Sequence, residues 1–164
     1  MNAIDLLKQQ HKKTTAALEK AHESGAAPAE LKKMADELVA HMVIEEHIFY
    51  PRVKQLMKSM INESFEEHAV ARFELARLLQ ASGEDKKTRA LVLKELLEHH
   101  IEEEEKEMFP KVKRDIPAAE LDALGVKMHA AFETAVAKGL EAFFQPSRPA
   151  RRTGTNGATA AHAR

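Results

Sequence analysis

Two segments of this chain carry histidine and glutamate at the same spacing. Residues 38–51 read LVAHMVIEEHIFYP and residues 97–110 read LEHHIEEEEKEMFP, so both fit the pattern L-x-x-H-x-x-x-E-E-x-x-x-[FY]-P. Imidazole and carboxylate groups bind first-row transition metals in proteins, and the chain has no cysteine that could replace them. The repeat therefore predicts a metal site built from two related halves of the chain.

Helical geometry places the histidine and the glutamate of each copy together. Positions four apart on an α-helix are separated by about 40° around the axis, so His41 and Glu45 present donor groups to one side. His11 and His68 precede the two copies by nearly equal intervals, which makes the chain two related helix pairs. We predict six metal ligands on four helices: His11, His41, Glu45, His68, His100 and Glu104.

These six positions continue the apolar stripes of their helices. His41 follows Leu38 on the stripe of the second helix, and His100 follows Leu97 on that of the fourth. A single histidine on an apolar face is more often a hydrogen-bonded core residue than a metal ligand. Four histidines on four helices, two of them with glutamate at +4, are better explained by a cation, because an unpaired buried carboxylate costs several kcal/mol.

Residues His99 and Glu103 form a competing pair at the same spacing. Alignment of the two copies on their prolines favours His100 with Glu104 instead. The other histidines are interpreted as ordinary residues: His22 in the first inter-helix turn, His47 on the solvent side, His129 buried or capping a helix, and His162 in the C-terminal tail.

Apolar residues at helical spacing predict five helical segments. The first ends near Gly25, and the second starts at about Pro28 and is kinked by Pro51. The third begins at 62–64, where Ser64 and Glu67 have the spacing of a capping box.

The remaining two segments complete the predicted architecture. The fourth covers about 85–112 and contains Pro110 near its end, and the fifth opens at Pro117. We predict an all-α fold, an up-and-down four-helix bundle with an additional C-terminal helix.

Composition and charge exclude several classes of function. The chain is 44% hydrophobic and 31% charged with a net charge of −1, which gives no bulk electrostatic reason to expect nucleic acid or an anionic membrane as a partner. The absence of cysteine excludes disulfides, zinc–thiolate sites and iron–sulfur clusters ligated by cysteine. No apolar run approaches the roughly 18 residues of a membrane span, and no secretory signal is recognisable, so we expect a soluble, cytoplasmic protein.

The composition changes after residue 144. Residues 145–164 read QPSRPARRTGTNGATAAHAR, with four arginines and no acidic residue. We predict one metal-binding domain at residues 1–144 and a disordered basic tail at residues 145–164.

Imidazole and carboxylate ligands on facing helices suit a pair of iron or manganese ions better than zinc. Ferritin-like proteins use the reverse order, Glu-x-x-His, which occurs here only at Glu19–His22. The sequence instead closely resembles the hemerythrin-like, HHE cation-binding family over about residues 1–144, through the six ligand positions and the aromatic–proline pairs that follow them. The resemblance implies a four-helix bundle holding two iron ions as a non-haem, oxo- or hydroxo-bridged di-iron centre. It also implies that Glu45 and Glu104 are bridging carboxylates and that the four histidines are terminal ligands.

One departure from the family bears on function. Oxygen-carrying hemerythrins have a fifth histidine one turn after the third-helix histidine, where this chain has Arg72. We therefore expect open coordination positions for O2, NO or peroxide rather than simple oxygen carriage. The first hypothesis is a protein that binds or senses O2 or NO, and the alternative is an enzyme that turns over peroxide or NO through the metal's own chemistry. Iron storage or delivery is a third, weaker possibility.

Overall fold

The computed structural model of the protein describes residues 1–140, which form seven α-helices and no β-strand. The helices are α1 (Ala3–Glu23), α2 (Pro28–Ile44), α3 (Tyr50–Val53), α4 (Lys58–Leu79), α5 (Gly83–Glu103), α6 (Phe109–Asp115) and α7 (Ala118–Lys138). The predicted all-α class is confirmed. The predicted tail at 145–164, with His162, lies outside the described residues.

Four long helices, α1, α2, α4 and α5, form the bundle. Helix α1 packs against α2 and α5, while α4 packs against α5 and α2. The connections at 24–27 and 80–82 are short, which favours antiparallel neighbours, while 45–57 between α2 and α4 contains a π-helical turn and α3. Helix α7 is the predicted additional C-terminal helix and packs along α1 and α2. None of the helices in residues 1–140 is both long and apolar enough to span a membrane.

Both ends of the first helix are determined by local interactions of the chain. The side-chain oxygen of Asn2 accepts a hydrogen bond of 3.0 Å from the backbone N–H of Asp5, which satisfies one free donor of the first turn. After α1, Gly25 adopts a φ of 79°, a left-handed conformation that glycine takes at little cost. The predicted stop near Gly25 and the start of α2 at Pro28 are both confirmed.

The predicted start of the third helix was wrong. Helix α4 begins at Lys58, one turn earlier than the proposed capping box. Ser64 lies inside the helix, where its hydroxyl donates to the carbonyl of Met60 at 3.0 Å. The helix extends upstream because Ile61 is fully buried in the core, and this tertiary contact outweighs the local capping signal.

Each proline of the repeat comes after a π-helical turn rather than a simple kink. The turns span Glu45–Phe49 and Glu104–Met108, and each begins at a predicted glutamate ligand. The backbone N–H of Tyr50 donates to the carbonyl of Glu45, and that of Phe109 donates to the carbonyl of Glu104, five residues back in each case. One π-turn adds a residue to the helical turn and rotates the downstream part of the helix, and such turns are frequent at functional sites.

The apolar core is divided into two clusters. One lies around Ile4, Phe49 and Phe109, and the other lies around Leu18, Leu38 and Leu75. The predicted ligands lie between residues of the two clusters, as His11 does between Ile4 and Leu18 on α1, so the polar groups form a layer between two apolar regions. The packing of both clusters holds the four helices in a fixed register around that layer.

A glycine in α7 permits its close approach to the N-terminus. A Cβ atom at Gly125 would lie 2.5 Å from the carbonyl oxygen of Met1 and 2.7 Å from the backbone carbon of Asn2. Gly125→Ala is expected to destabilise the protein by about 1 kcal/mol, because the clash exceeds the gain of roughly 1 kcal/mol in helix propensity. Urea denaturation measures the change, with the exposed Val126→Ala as control. A more stable Gly125→Ala protein would contradict this close approach.

Candidate metal centre

The structure brings all six predicted ligand side chains together in the interior. They are contributed by α1, α2, α4, α5 and the two π-turns. Each residue is at most 5% exposed: His11 3%, His41 5%, Glu45 0%, His68 1%, His100 3% and Glu104 1%. The fold therefore places four imidazoles and two carboxylates in one buried layer.

The Nε2 atoms of the histidines face the two carboxylates. The Oε2 atom of Glu45 lies 3.2 Å from Nε2 of His41 and 3.3 Å from Nε2 of His68. The Oε2 atom of Glu104 lies 3.2 Å from Nε2 of His11 and 3.7 Å from Nε2 of His100. Each carboxylate thus contacts histidines from both halves of the chain.

Two overlapping groups of donor atoms have the spacing needed to hold a metal ion. One consists of His11, His41 and Glu45, and the other consists of Glu45, His68 and His100. Within each group the donor atoms lie within 4.8 Å of one another. Glu45 belongs to both groups, as a carboxylate between two ions would.

Several buried polar atoms at the centre have no hydrogen-bond partner. These are both carboxylate oxygens of Glu45, Oε2 of Glu104 and Nε2 of His11. Leaving a buried charged group unsatisfied costs several kcal/mol, so such groups occur where something else pairs with them. Orphaned carboxylates and imidazole nitrogens that face one another fit a cation, and the residues present therefore fit the predicted metal.

On the outer side of the centre, each of the four histidines donates its Nδ1 hydrogen to an oxygen acceptor. The pairs are His11 to Glu105 at 3.0 Å, His41 to Gln10 at 2.8 Å, His68 to Glu46 at 2.9 Å and His100 to Glu67 at 2.7 Å. A carboxylate can only accept, so Nδ1 carries the hydrogen and the Nε2 lone pair points inward. This arrangement orients imidazoles around metals in many proteins.

Arg72, which stands where a fifth histidine would lie, belongs to this outer layer. Its Nη2 donates to Oε1 of Glu46 at 2.7 Å, and the same oxygen accepts from His68. Arg72 therefore orients a ligand histidine through Glu46. It supplies no nitrogen of its own to the centre, as the sequence led us to expect.

The aromatic residue of each copy packs on a histidine of the other half. The Tyr50 ring lies 5.6 Å from that of His68, and the Phe109 ring stacks on that of His11 at 5.9 Å. The Tyr50 hydroxyl also donates to Oε1 of Glu104 at 3.0 Å and lies 3.3 Å from Nε2 of His68. Sequence reasoning assigned no role to Tyr50, although the difference between tyrosine and phenylalanine in the two copies was its visible signal.

Burial and mutual repulsion set the protonation of the carboxyl groups. Burial raises the pKa of Glu45 well above its usual value, and the adjacent Glu104 adds to this shift. Burial acts in the same direction on Glu104, but His100 and His11 outweigh it and lower the pKa of that carboxyl. Without metal, Glu45 therefore holds a proton more readily than Glu104 does, and a cation would displace that proton.

Two histidines of the centre, His41 and His68, are held in the neutral form that binds metal. Burial and the neighbouring His11 lower the pKa of His41 well below the usual histidine value. Burial also lowers the pKa of His68. Both rings are therefore neutral at pH 7, as metal ligation requires.

The remaining histidines differ partly from expectation. His47 is exposed as predicted, and the side chain of His99 is 67% exposed while His100 is buried. The expectation that His129 is buried or caps a helix was wrong, because it faces solvent on α7. His22 lies in the last turn of α1 rather than in the following turn, and its Nδ1 lies 3.2 Å from the carbonyl of Lys87.

Comparison with known proteins identifies one family. The family described as "Hemerythrin HHE cation binding domain" matches residues 2–112, which is more than half of the 164-residue chain and contains all six predicted ligand positions. No curated protein and no solved structure matches the chain significantly.

Proposed function

This chain belongs to the hemerythrin HHE cation-binding family, and from that premise we propose that its centre holds two iron ions and binds or senses O2 or NO. The family establishes cation binding. The two iron ions and the small gaseous ligand are our proposal. The observation that carries it is the pair of buried donor groups that share Glu45.

The donor set supports the number and the kind of ions. Two groups of three donors that share one carboxylate suit two ions at bridging distance. Imidazole nitrogen with carboxylate oxygen favours iron over softer or harder metals. Six side chains provide fewer donors than two six-coordinate ions accept, so positions are left for a small ligand. Bound iron would supply the reversible ligand binding and the redox chemistry.

A small cavity beside the imidazoles limits the size of that ligand. Its volume is about 10 Å³, close to the least space that holds one water molecule. Its walls include His41 and His100, with Leu38, Met42 and Leu97 on the apolar side. A cavity of this size has no room for an organic substrate, so a ligand bound there would be no larger than a few atoms.

Tyr50 supplies a hydrogen-bond donor at the edge of the same layer. Its hydroxyl lies among Glu104 and His68, and it is fully buried. Burial and the two carboxylates raise the pKa of Tyr50 well above its usual value, so the phenol keeps its proton at neutral pH. We propose that it holds Glu104 in place and can donate to a ligand bound beside it.

The alternative is an enzyme that turns over peroxide or NO. The identity of residue 72 favours this alternative. Oxygen-carrying hemerythrins have a ligand histidine at this position, whereas Arg72 donates to Glu46 and offers the metals no nitrogen. A more open centre is better suited to repeated reaction. The two functions differ in the number of ligand molecules consumed for each protein chain.

Addition of O2, an NO donor or hydrogen peroxide to reduced, iron-loaded protein under otherwise anaerobic conditions tests this choice. We expect one spectral change that saturates at one ligand per centre, reversed for O2 or NO by purging with inert gas. Continued consumption of peroxide or NO would establish the enzyme instead. His41→Ala protein serves as the control that lacks the centre. If wild type and control respond alike, both functions are wrong and iron storage becomes the better hypothesis.

A further inference from the structure

A second histidine–carboxylate group lies on the outer surface between α4 and α5. It consists of Glu67 on α4 with His99 and Glu103 on α5, and its donor atoms lie within 4.8 Å of one another. None of these residues is among the six of the buried centre. In residues 1–140 this is the one such group that includes an exposed histidine.

The separations within this group fit donors that share an ion. The Nε2 atom of His99 lies 3.8 Å from Oε1 of Glu67 and 3.6 Å from Oε1 of Glu103. Both distances are too long for a hydrogen bond, which has a typical donor–acceptor distance of about 2.7–3.2 Å. Two ligands bonded to one tetrahedral ion at about 2.1 Å lie roughly 3.4 Å apart. A small movement of the exposed His99 side chain towards the two half-buried carboxylates would complete such a site.

The charge around the group also favours a cation. Glu103 lies close enough to Glu67 and to two further carboxylates, Glu63 and Glu107, for their negative charges to act on it. Within residues 1–140, no lysine or arginine forms a salt bridge with Glu63, Glu103 or Glu107. Carboxylates alone occur on many surfaces without an ion. The imidazole between two of them is the feature that selects a first-row transition metal.

Glu67 links this group to the buried centre. Its Oε2 accepts the Nδ1 hydrogen of His100 at 2.7 Å, while its Oε1 faces His99. One carboxylate therefore orients a ligand of the inner centre with one oxygen and faces the outer group with the other. An ion on Oε1 would withdraw charge from the oxygen that holds His100.

We propose that Glu67, His99 and Glu103 form a separate outer site for one divalent first-row transition cation, coupled to the buried centre through Glu67. The site captures an ion at the surface next to the helix pair that supplies His68 and His100. The coupling rests on the proposed function of the centre, whereas the outer site itself does not. An ion held there would be available next to the centre, so loss of the outer site should slow the filling of the centre.

Titration of the metal-free, full-length protein with Co²⁺ under anaerobic conditions tests the proposal, with bound ions counted by elemental analysis and calorimetry. His99→Ala and the shape-conserving Glu103→Gln are expected to bind one ion fewer than wild type, or to bind it about tenfold or more weakly. His47→Ala, which removes another exposed histidine, should match wild type. The time to fill the centre should lengthen several-fold in His99→Ala.

The outcomes separate this site from the function proposed above. If wild type, His99→Ala and Glu103→Gln bind equal numbers of ions with equal affinity, the outer site does not exist, whatever the centre holds. If Glu45→Ala keeps one ion and the double variant Glu45→Ala with His99→Ala keeps none, the outer site is established independently. If wild type binds one ion that His99→Ala loses, the outer site stands and the two-ion centre fails.

Discussion

Glu45→Ala protein is expected to retain less than about a tenth of the iron that wild type binds at the buried centre, the largest effect of any single substitution proposed for this chain. Glu45 is the one residue that belongs to both buried donor groups, so its loss removes a ligand from each. Loss of even an outer-layer partner of a metal ligand typically costs 10- to 100-fold in affinity, and loss of a shared ligand should cost more. Iron is measured by elemental analysis after anaerobic loading and removal of free metal.

Variants at three other positions, and a second substitution at Glu45, test whether this result is specific to the buried centre. His41→Ala and Glu104→Ala should also lose most of their iron, while His47→Ala should keep the wild-type amount because His47 is exposed. The metal-free Glu45→Gln protein should be more stable than metal-free wild type, since an amide is less costly to bury than a carboxylate without a partner. Equal iron in Glu45→Ala and His47→Ala would show that the buried layer does not bind metal.

Iron loading is expected to raise the melting temperature by about 10 °C at pH 7.5, and this difference should widen as the pH rises. Tight binding to the folded state alone contributes roughly 3–4 kcal/mol when the ligand exceeds its dissociation constant several hundredfold. In a chain of this size each kcal/mol shifts Tm by about 2–4 °C.

The direction of the pH effect is set by the shifted groups. Burial raises the pKa of Glu45 in the folded protein above its unfolded value of 4.5. Its contribution to the stability of the folded state is therefore complete below pH 4.5 and is lost as the pH rises through the folded pKa. The pKa of His100 is also raised, because Glu104 and Glu67 together outweigh the opposing effect of burial. Its contribution to stability is therefore lost in the same way as the pH rises above 6.5. His41 and His68 have lowered pKa values and add no further change above 6.5.

Metal-free protein should therefore lose stability as the pH rises above 6.5. The iron-loaded protein should lose less, because a bound cation would pair with the Glu45 carboxylate in place of a proton. Thermal denaturation of both forms at three pH values measures the two slopes, and Glu45→Gln provides the control in which the metal-free slope is reduced. A metal-free Tm that rises with pH above 6.5 would contradict the assignment of a raised pKa to Glu45.

The predictions that succeeded from sequence were those that depend on one helix at a time. The spacing of His41 with Glu45, and of His100 with Glu104, determines which side of their own helix they occupy, because the helical period is fixed. Alignment of the repeat placed His100 on the inner side and His99 outside, and both positions agree with their burial. That these side chains bind metal is still a prediction.

The sequence predictions that were wrong concern features that depend on how one helix packs on another. The capping signal at Ser64 was overridden by burial of Ile61, and the exposure of His129 results from the side on which α7 docks. Neither result is contained in local spacing. The π-turns at Glu45 and Glu104 also escaped sequence reasoning, because proline marks the interruption but not the turn in which it is accommodated.

The sequence by itself determined the all-α class, the four helix faces and the six polar groups on them. Only the tertiary structure decided which atoms meet: the Tyr50 hydroxyl at Glu104, Gln10 behind His41, and Glu67 between His100 and His99. The physical reason is that periodicity specifies a direction around one helix axis. Contacts between helices depend on their relative rotation and register, which are set by the packing of the two apolar clusters on either side of the polar layer.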